Sequence, residues 1–439
     1  MASVEAQVAH IWRRLGFGPA PGDVEEGVAV GPQALIEDLC ARPATTEATW
    51  AWPVRPDWTE PRAYKHRLFE LMATSPNPVQ ERVSWVLTGL LVIATQDNIG
   101  YPEMKAHWNF LRGGALGSYA DLLADVTPST GMQWYLDGIN SSRTAPNENL
   151  ARELCELFSL GITHPITGAP NYSETDIREI ARALTGYRFN WNTNQAYFDQ
   201  TKWDAGPKTF FGQDRGPAKV DEVLAAIAAH PSFRYFVPRR FYRELIGLPP
   251  DASALEALAQ VFGSGGDLRT LVRTIARRPE FRSDAAIGAR VKSPVELVVG
   301  AVRVLGLGDL ERFALDWQLS EMAQDVFRAP NVSGWPSGPA WLHAGHLIQW
   351  SKTVNSLCWG DSGSADVPVA RQCPTIRALF STGSRPTGGD LALRLAGLWD
   401  VSPDTQQAAR DYAAAGSWTF QRACGLMNLV LASPEYLVN

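Results

Sequence analysis

The chain has 439 residues, of which 45% are hydrophobic and 20% charged, and its formal net charge is -6. This balance is typical of a globular protein with a large core, so extensive disorder is excluded, and without a basic run we predict no nucleic-acid partner. Five cysteines without CxxC spacing cannot all pair, and no apolar stretch reaches 18 residues. The N-terminal segment also lacks the apolar core of a signal peptide, so we predict a cytoplasmic protein without a membrane span.

Helical periodicity dominates the chain, because apolar residues recur three and four positions apart in most segments. The apolar stretch 83–95 is too short to cross a bilayer and is predicted to be a buried helix. The fold class is therefore mainly α, with one large helical domain. Further predicted helices cover residues 32–42, 119–126, 220–230, 254–263, 268–281 and 293–306.

Residues 188–219 form a long irregular insertion rich in Asn, Gly, Pro and aromatic residues. Alternation over residues 187–198 predicts a short hairpin there. Long ordered loops in compact domains are usually functional. A second loop at 359–374 divides the chain into a main helical domain, 1–358, and a C-terminal helical extension, 359–439, that we expect to pack on the same body.

The stretch APNENLARELCELFSLG, residues 145–160, has an acidic face and a leucine-rich face. At 100° per residue its polar side chains fall on an arc of about 140°. On periodicity alone, this pattern is typical of a solvated face with a salt bridge from Glu148 to Arg152. A second amphipathic helix follows, with Ser173 and Asp176 as a capping box. If the two polar faces converge, carboxylates near an arginine can serve as general acid and base, or bind a divalent cation.

Five blocks of sequence carry a family resemblance: HIWRRLGFGPAPGDVE, APNENLARELCELFSLGITHPITGAPNYSETDIREIARALTGY, DAGPKTFFGQ, VKSPVELVVGAVRVLGL and APNVSGWPSGPAWL. In this order, from about residue 8 to residue 356, they resemble the bacterial family catalogued as domain of unknown function 1800. The resemblance implies no particular activity, because the family has no settled one.

The chain departs from the family pattern at residues that can ligate metal. Thr88 and Leu90 stand where the resemblance implies the histidines of a Trp-His-x-His-Phe motif, and Trp203-Asp204 stands where it implies a His-Asp pair. Histidine is a common ligand of transition metals. The resemblance therefore implies that this chain does not hold a metal in the family's way.

The leading hypothesis is a metal-independent enzyme without a cofactor, acting on a hydrophobic or aromatic small molecule in specialised metabolism. In it, carboxylates act as acid and base, an arginine balances their charge, and some of the 16 tryptophans line the pocket. The catalytic candidates are Glu148, Arg152, Glu153, Glu156, Asp204 and Lys208. The substrate-binding candidates are Thr88, Asn147, Asn149, Trp203, Trp335 and Trp341.

Two alternatives stay open. A non-catalytic binding or scaffold protein, derived from a metalloenzyme, predicts that salt bridges fill the polar helix face and leave no cavity. A divalent-metal enzyme would combine carboxylates with His343 or His346, three residues apart. The patterns GPKT at 206–209 and GDSGS at 360–364 lack the spacing of a phosphate loop and a nucleophile elbow, and His107 is predicted to be structural.

Overall fold

The structure is a computed structural model that describes residues 2–46, 60–95, 99–308, 310–359 and 373–439. It is mainly α-helical, as the periodicity predicted, and none of the helices in these ranges is long and apolar enough to cross a membrane. The described helices are α1 (Val4–Leu15), α2 (Asp23–Val30), α3 (Pro32–Ala41), α4 (Glu60–Thr74), α5 (Pro78–Thr88), α6 (Tyr101–Gly114), α7 (Tyr119–Val126), α8 (Thr130–Tyr135), α9 (Asn149–Glu156), α10 (Glu174–Ala183), α11 (Val220–Ala229), α12 (Phe233–Ile246), α13 (Ala252–Phe262), α14 (Leu268–Arg277), α15 (Pro294–Leu305), α16 (Leu315–Glu321), α17 (Ala344–Trp359), α18 (Pro374–Thr382), α19 (Gly388–Leu395), α20 (Pro403–Ala414) and α21 (Phe420–Leu431).

Local caps set the ends of the predicted helices. α7 covers the predicted residues 119–126, and the Ser118 hydroxyl accepts a hydrogen bond from the Asp121 N–H at its start. α14 ends at Arg277, before the predicted end at 281, because Pro279 begins a short 3-10 turn. Periodicity thus located the helices, and capping chemistry decided their lengths.

The predicted helix at 83–95 is wrong in its second half. α5 ends at Thr88, and the buried residues after Gly89 have no helical structure. A short apolar run has the same composition in a buried helix and in a buried extended segment, so the pattern cannot distinguish them. Because α5 ends early, Gly89 and Leu90 line a cleft beside α12.

The irregular insertion contains two small antiparallel hairpins. β1 (Tyr187–Asn190) pairs with β2 (Gln195–Phe198), so Tyr187 lies opposite Phe198. This confirms the hairpin predicted at 187–198. β3 (Thr209–Phe210) pairs with β4 (Gln213–Asp214) further along the segment.

The N-terminal and C-terminal parts of the chain contribute to one buried core. In it, the Trp350 ring stacks on Tyr436, with ring centroids 5.9 Å apart. Arg290 and Asn439 exchange both backbone hydrogen bonds, at 3.2 and 2.8 Å, so the last residues run beside the segment before α15. The division at 358/359 stays a prediction, since residues 360–372 of the predicted second loop, with GDSGS, lie outside the described residues.

Candidate functional site

The acidic face of α9 meets the polar face of α10 through one arginine. The Arg152 guanidinium donates to Glu148 at 3.1 Å and to the two carboxylate oxygens of Glu174 at 2.9 and 2.7 Å. At the start of α9, the Asn147 side-chain carbonyl accepts a hydrogen bond from the Asn149 N–H at 2.9 Å. The structure therefore brings these predicted site residues together, with Arg152 bound to two carboxylates.

Glu153 and Glu156 lie half-buried at the end of α9. Burial, and then the charge of Glu156, raises the pKa of the Glu153 carboxyl above its ordinary value. The Tyr172 hydroxyl donates to Glu156 at 3.3 Å. Two neighbouring carboxylates, one with a raised pKa, form the arrangement that general acid and base catalysis uses.

The irregular insertion holds its own predicted site residues. The Asp204 carboxylate accepts a hydrogen bond from Arg182 of α10 at 2.7 Å, and the same guanidinium donates to Glu179 at 2.9 Å. Lys208 is buried, and its ammonium donates to two backbone carbonyls of the loop and lies 4.8 Å from the centroid of the Trp203 ring. These contacts fix the loop against α10.

A cleft of about 670 Å³ lies beside α12. Its other walls are the end of α5, the segment around residue 290 and the loop at 332–339. Leu157, the residue directly after α9, lines it, but none of the six catalytic candidates does. Much of the wall is apolar: Leu90, Leu157, Phe236, Leu248, Pro249, Val291, Val332 and Pro339.

Four arginines also line this cleft: Arg239, Arg240 and Arg243 from α12, and Arg290. Arg240 and Arg290 share the carboxylate of Glu244, at 3.4 and 3.3 Å. Arg239 and Arg243 are exposed, and neither side chain has a hydrogen bond or salt bridge to a residue that the structure describes. Burial, and then the charges of Arg239 and Arg240, lowers the pKa of Arg243.

A smaller inner pocket of about 60 Å³ adjoins the cleft and shares Arg240, Glu244 and Arg290 with it. There the Glu296 carboxylate accepts hydrogen bonds from both Arg82 and Arg290. Burial lowers the pKa of Arg82 to about 10 and that of Arg290 to about 9, so both remain charged at neutral pH.

Two predicted substrate-binding residues, Trp335 and Trp341, line the inner pocket. The Trp335 ring stacks on Trp85, with centroids 5.5 Å apart. Thr88 lies nearby in a separate small cavity that Trp335 and His107 also line. The His107 ring donates to the Leu91 carbonyl at 2.7 Å, and burial lowers its pKa to about 4, so it is neutral at neutral pH.

The cleft and inner pocket together are cationic. Five arginines stand against two glutamates, which leaves three positive charges in a chain whose net charge is -6. Burial alone would raise the pKa of Glu244, but the charges of Arg290, Arg240 and Arg82 hold it below its ordinary value, so it stays ionised. Guanidinium groups bind carboxylate, sulfate and phosphate groups through paired hydrogen bonds, so the site suits an anion.

The sequence pattern did not predict these arginines, because they form no basic run of the kind that binds nucleic acid. A pattern that could have indicated them lies in FRYFVPRRFYRELI, where Phe236, Arg240 and Arg243 fall on one side of a helix at positions i, i+4 and i+7. Arg82 and Arg290 come from distant parts of the chain, and only the fold brings them to the same site.

The two histidines of the metal hypothesis lie together, with the His343 and His346 ring centroids 3.6 Å apart. Within the described ranges, no group of three His, Cys, Asp or Glu side chains is placed to hold a metal ion. Among the described residues, His343 and His346 therefore have no third side chain beside them that would complete a metal site.

The sequence model of the family described as "Protein of unknown function (DUF1800)" matches residues 10–438. The match extends beyond residue 356, the end of the resemblance in the sequence, into the C-terminal helices. Searches of curated proteins and of solved structures returned no significant match. The chain belongs to the DUF1800 family.

Proposed function

We propose that the protein binds a small organic molecule, with an apolar body and an anionic group, in the cleft beside α12. The observation that carries this proposal is that Arg239 and Arg243 line the cleft without a counter-charge in the described part of the chain. Burial lowers the pKa of Arg243 most, and the like charges of Arg239 and Arg240 lower it further through their repulsion. A bound anion would relieve it.

The apolar wall of the cleft supports the second part of the proposal. Small-molecule sites typically enclose about 300–1,000 Å³ and combine apolar walls with a few polar groups that orient the ligand. The cleft, at about 670 Å³, has this size and composition. A hydrophobic or aromatic body would lie against residues such as Leu90 and Phe236, and the arginines would hold its anionic end.

We further propose that the protein is a metal-independent enzyme acting on this molecule, in specialised metabolism. Support comes from α9, because Leu157 lines the cleft and Glu156 directly precedes it. Glu153, with its raised pKa, is suited to be the general acid, and Glu156 to be the base. Arg152, which is paired with Glu148 and Glu174, would add a weaker attraction to Glu153.

A non-catalytic binding protein is the second candidate, and a specific observation favours it. Arg152 and Arg182 each bind two carboxylates, as a scaffold with a self-neutralised polar face requires. The two candidates differ in one outcome. An enzyme converts the bound ligand to a product that mass spectrometry detects, and Glu156→Gln should abolish formation of this product. A binding protein forms no product.

The binding proposal is tested by isothermal titration with phenyl sulfate, which has an apolar body and a single negative charge. Phenol and inorganic sulfate are the matched fragments that lack one of the two parts. We expect phenyl sulfate to bind at least about tenfold more tightly than either fragment, because each part contributes about 1.4 kcal/mol or more.

Arg243→Glu should weaken phenyl sulfate binding by about tenfold or more, because it replaces an attractive charge with a repulsive one. Arg178→Glu is the matched control, since Arg178 is exposed on α10 and does not line the cleft. Equal effects of the two substitutions, or no preference over the fragments, would contradict the proposal.

A further inference from the structure

The geometry points to a phosphate monoester, in its dianionic form, as the anionic group of the ligand. This inference rests on the proposed function and specifies the ligand class. The arginines of the cleft are of two kinds, since Arg240 and Arg290 pair with Glu244 whereas Arg239 and Arg243 have no such partner in the described chain.

The paired arginines form a chain of salt bridges at the inner side. Glu244 is shared by Arg240 and Arg290, and Glu296 is shared by Arg290 and Arg82. Three arginines and two glutamates leave one positive charge in this chain. It therefore needs little additional counter-charge.

The unpaired arginines carry two positive charges that no carboxylate of the described chain balances. Arg239 and Arg243 are four residues apart, so they lie on the same edge of α12. A monoanion neutralises one of them and leaves the other without a partner in the described structure. A dianion neutralises both.

The number of acceptor atoms also favours phosphate. Arg239, Arg240 and Arg243 all line the cleft from one helical segment. A phosphate monoester offers three terminal oxygens, whereas a carboxylate offers two in one plane. A tetrahedral group can therefore offer a separate terminal oxygen to each of three guanidinium groups, which a carboxylate cannot do.

The protein's own charge at the cleft is constant near neutral pH, so a pH dependence of binding reports the ligand. The described lining contains no histidine. Glu244 has a pKa below its ordinary value, and Arg290 has a pKa of about 9. The second pKa of a phosphate monoester is about 6, so the ligand gains its second charge between about pH 5 and pH 7.5.

The test compares phenyl phosphate with phenyl sulfate, which has nearly the same shape and one negative charge throughout this range. Affinities are measured by isothermal titration at about pH 5 and about pH 7.5, at constant ionic strength. We expect phenyl phosphate to bind about tenfold more tightly than phenyl sulfate at the higher pH and about equally at the lower pH. Phenyl sulfate should show no change with pH.

Substitutions localise the second charge. Arg239→Gln and Arg243→Gln should each reduce the preference for phenyl phosphate to about twofold or less at the higher pH, because one unpaired guanidinium remains. Arg178→Gln, the matched control on α10, should leave the preference unchanged. Circular dichroism of each variant checks that its fold is retained.

The possible failures are distinguishable. Equal affinity for phenyl phosphate and phenyl sulfate, with both weakened by Arg243→Glu, would overturn the phosphate assignment and leave the proposed function standing. Phthalate, with two carboxylates, binding as tightly as phenyl phosphate would also overturn it. Absence of binding by all three compounds would overturn the proposed function and this inference with it.

Discussion

The charged side chains of this protein differ in how completely their neighbours compensate them. Arg152 and Arg182 are each bound by two carboxylates, whereas Arg239 and Arg243 have no such partner in the described ranges. Glu153 has a different environment, in which burial and a second carboxylate both oppose its charge. Each environment predicts a different response to substitution.

Glu153→Gln should stabilise the protein at pH 7 and not at pH 4. The folded state raises the pKa of Glu153 above its ordinary value of 4.5, so it binds the proton more tightly than the unfolded state does. The stability that this group contributes is present below the ordinary pKa and is lost as the pH rises through the raised one. Glutamine stays neutral at pH 4 and pH 7, so the variant does not lose this stability as the pH rises.

Thermal unfolding of the wild type and of Glu153→Gln at the two pH values measures the effect. Glu70→Gln, on the partly exposed side of α4, is a control outside this carboxylate pair. If Glu153→Gln changed the unfolding temperature by the same amount at pH 4 and pH 7, the charge of Glu153 would not be opposed in the folded protein.

Part of the lining of the inner pocket could be predicted from the sequence. Trp335 and Trp341 were predicted from their motif, and both line the inner pocket. Arg240 and Arg290 were not predicted, because their importance depends on sharing Glu244, and the contact between Arg290 and Glu244 is absent from any local pattern. The substrate-binding roles of Trp335 and Trp341 and the catalytic roles of the α9 and loop residues stay predictions.

At the element scale, the cleft depends on the contact between the end of α5 and the loop at 331–337. Gly334 has a positive φ of 82°, and a Cβ atom there would lie 3.1 Å from the Gly89 carbonyl oxygen. This approach places Trp335 against Trp85, and it places Val332 at the cleft wall. Only glycine combines a positive φ with this close contact to the Gly89 carbonyl oxygen without strain.

Gly334→Ala should therefore lower the free energy of unfolding by more than Gly338→Ala does. Both glycines have a positive φ, which costs an alanine about 1–2 kcal/mol. A Cβ atom at Gly338 would meet no atom within 4 Å, so that substitution is the matched control for backbone strain alone. We expect an additional loss of about 1 kcal/mol or more for Gly334→Ala, from displacement of the loop.

Urea denaturation of both variants measures the difference. Phenyl sulfate titration then shows whether the displaced loop also weakens binding, as we expect. Equal free energies of unfolding for the two variants would mean that the loop moves away from Gly89 without cost and does not fix the cleft.

Elements were predicted well where side-chain periodicity decides the structure. The helix α7 and the hairpin of β1 and β2 form where their patterns predicted. The failure after Thr88 has a physical reason, because residues buried on all sides lack the polar face that gives a helix its period. That same departure from helix opens the cleft.

At the scale of the whole molecule, distant segments hold the cleft together. Arg290 is fixed by the backbone hydrogen bonds that it exchanges with Asn439, and Lys292 donates from its ammonium to the Tyr436 carbonyl at 2.5 Å. Arg82 comes from α5, whereas Arg239, Arg240 and Arg243 come from α12. The charge of the site is thus a property of the assembled fold, which explains why composition alone, with a net charge of -6, indicated no anion site.

A crystal structure of the protein with bound phenyl phosphate would show whether the arginine cleft is its ligand site. We expect the phosphate oxygens to lie within hydrogen-bonding distance of Arg239 and Arg243, with the phenyl ring against the apolar wall that includes Leu90 and Phe236. A phenyl phosphate molecule bound at another surface, with the cleft unoccupied at saturating concentration, would contradict it.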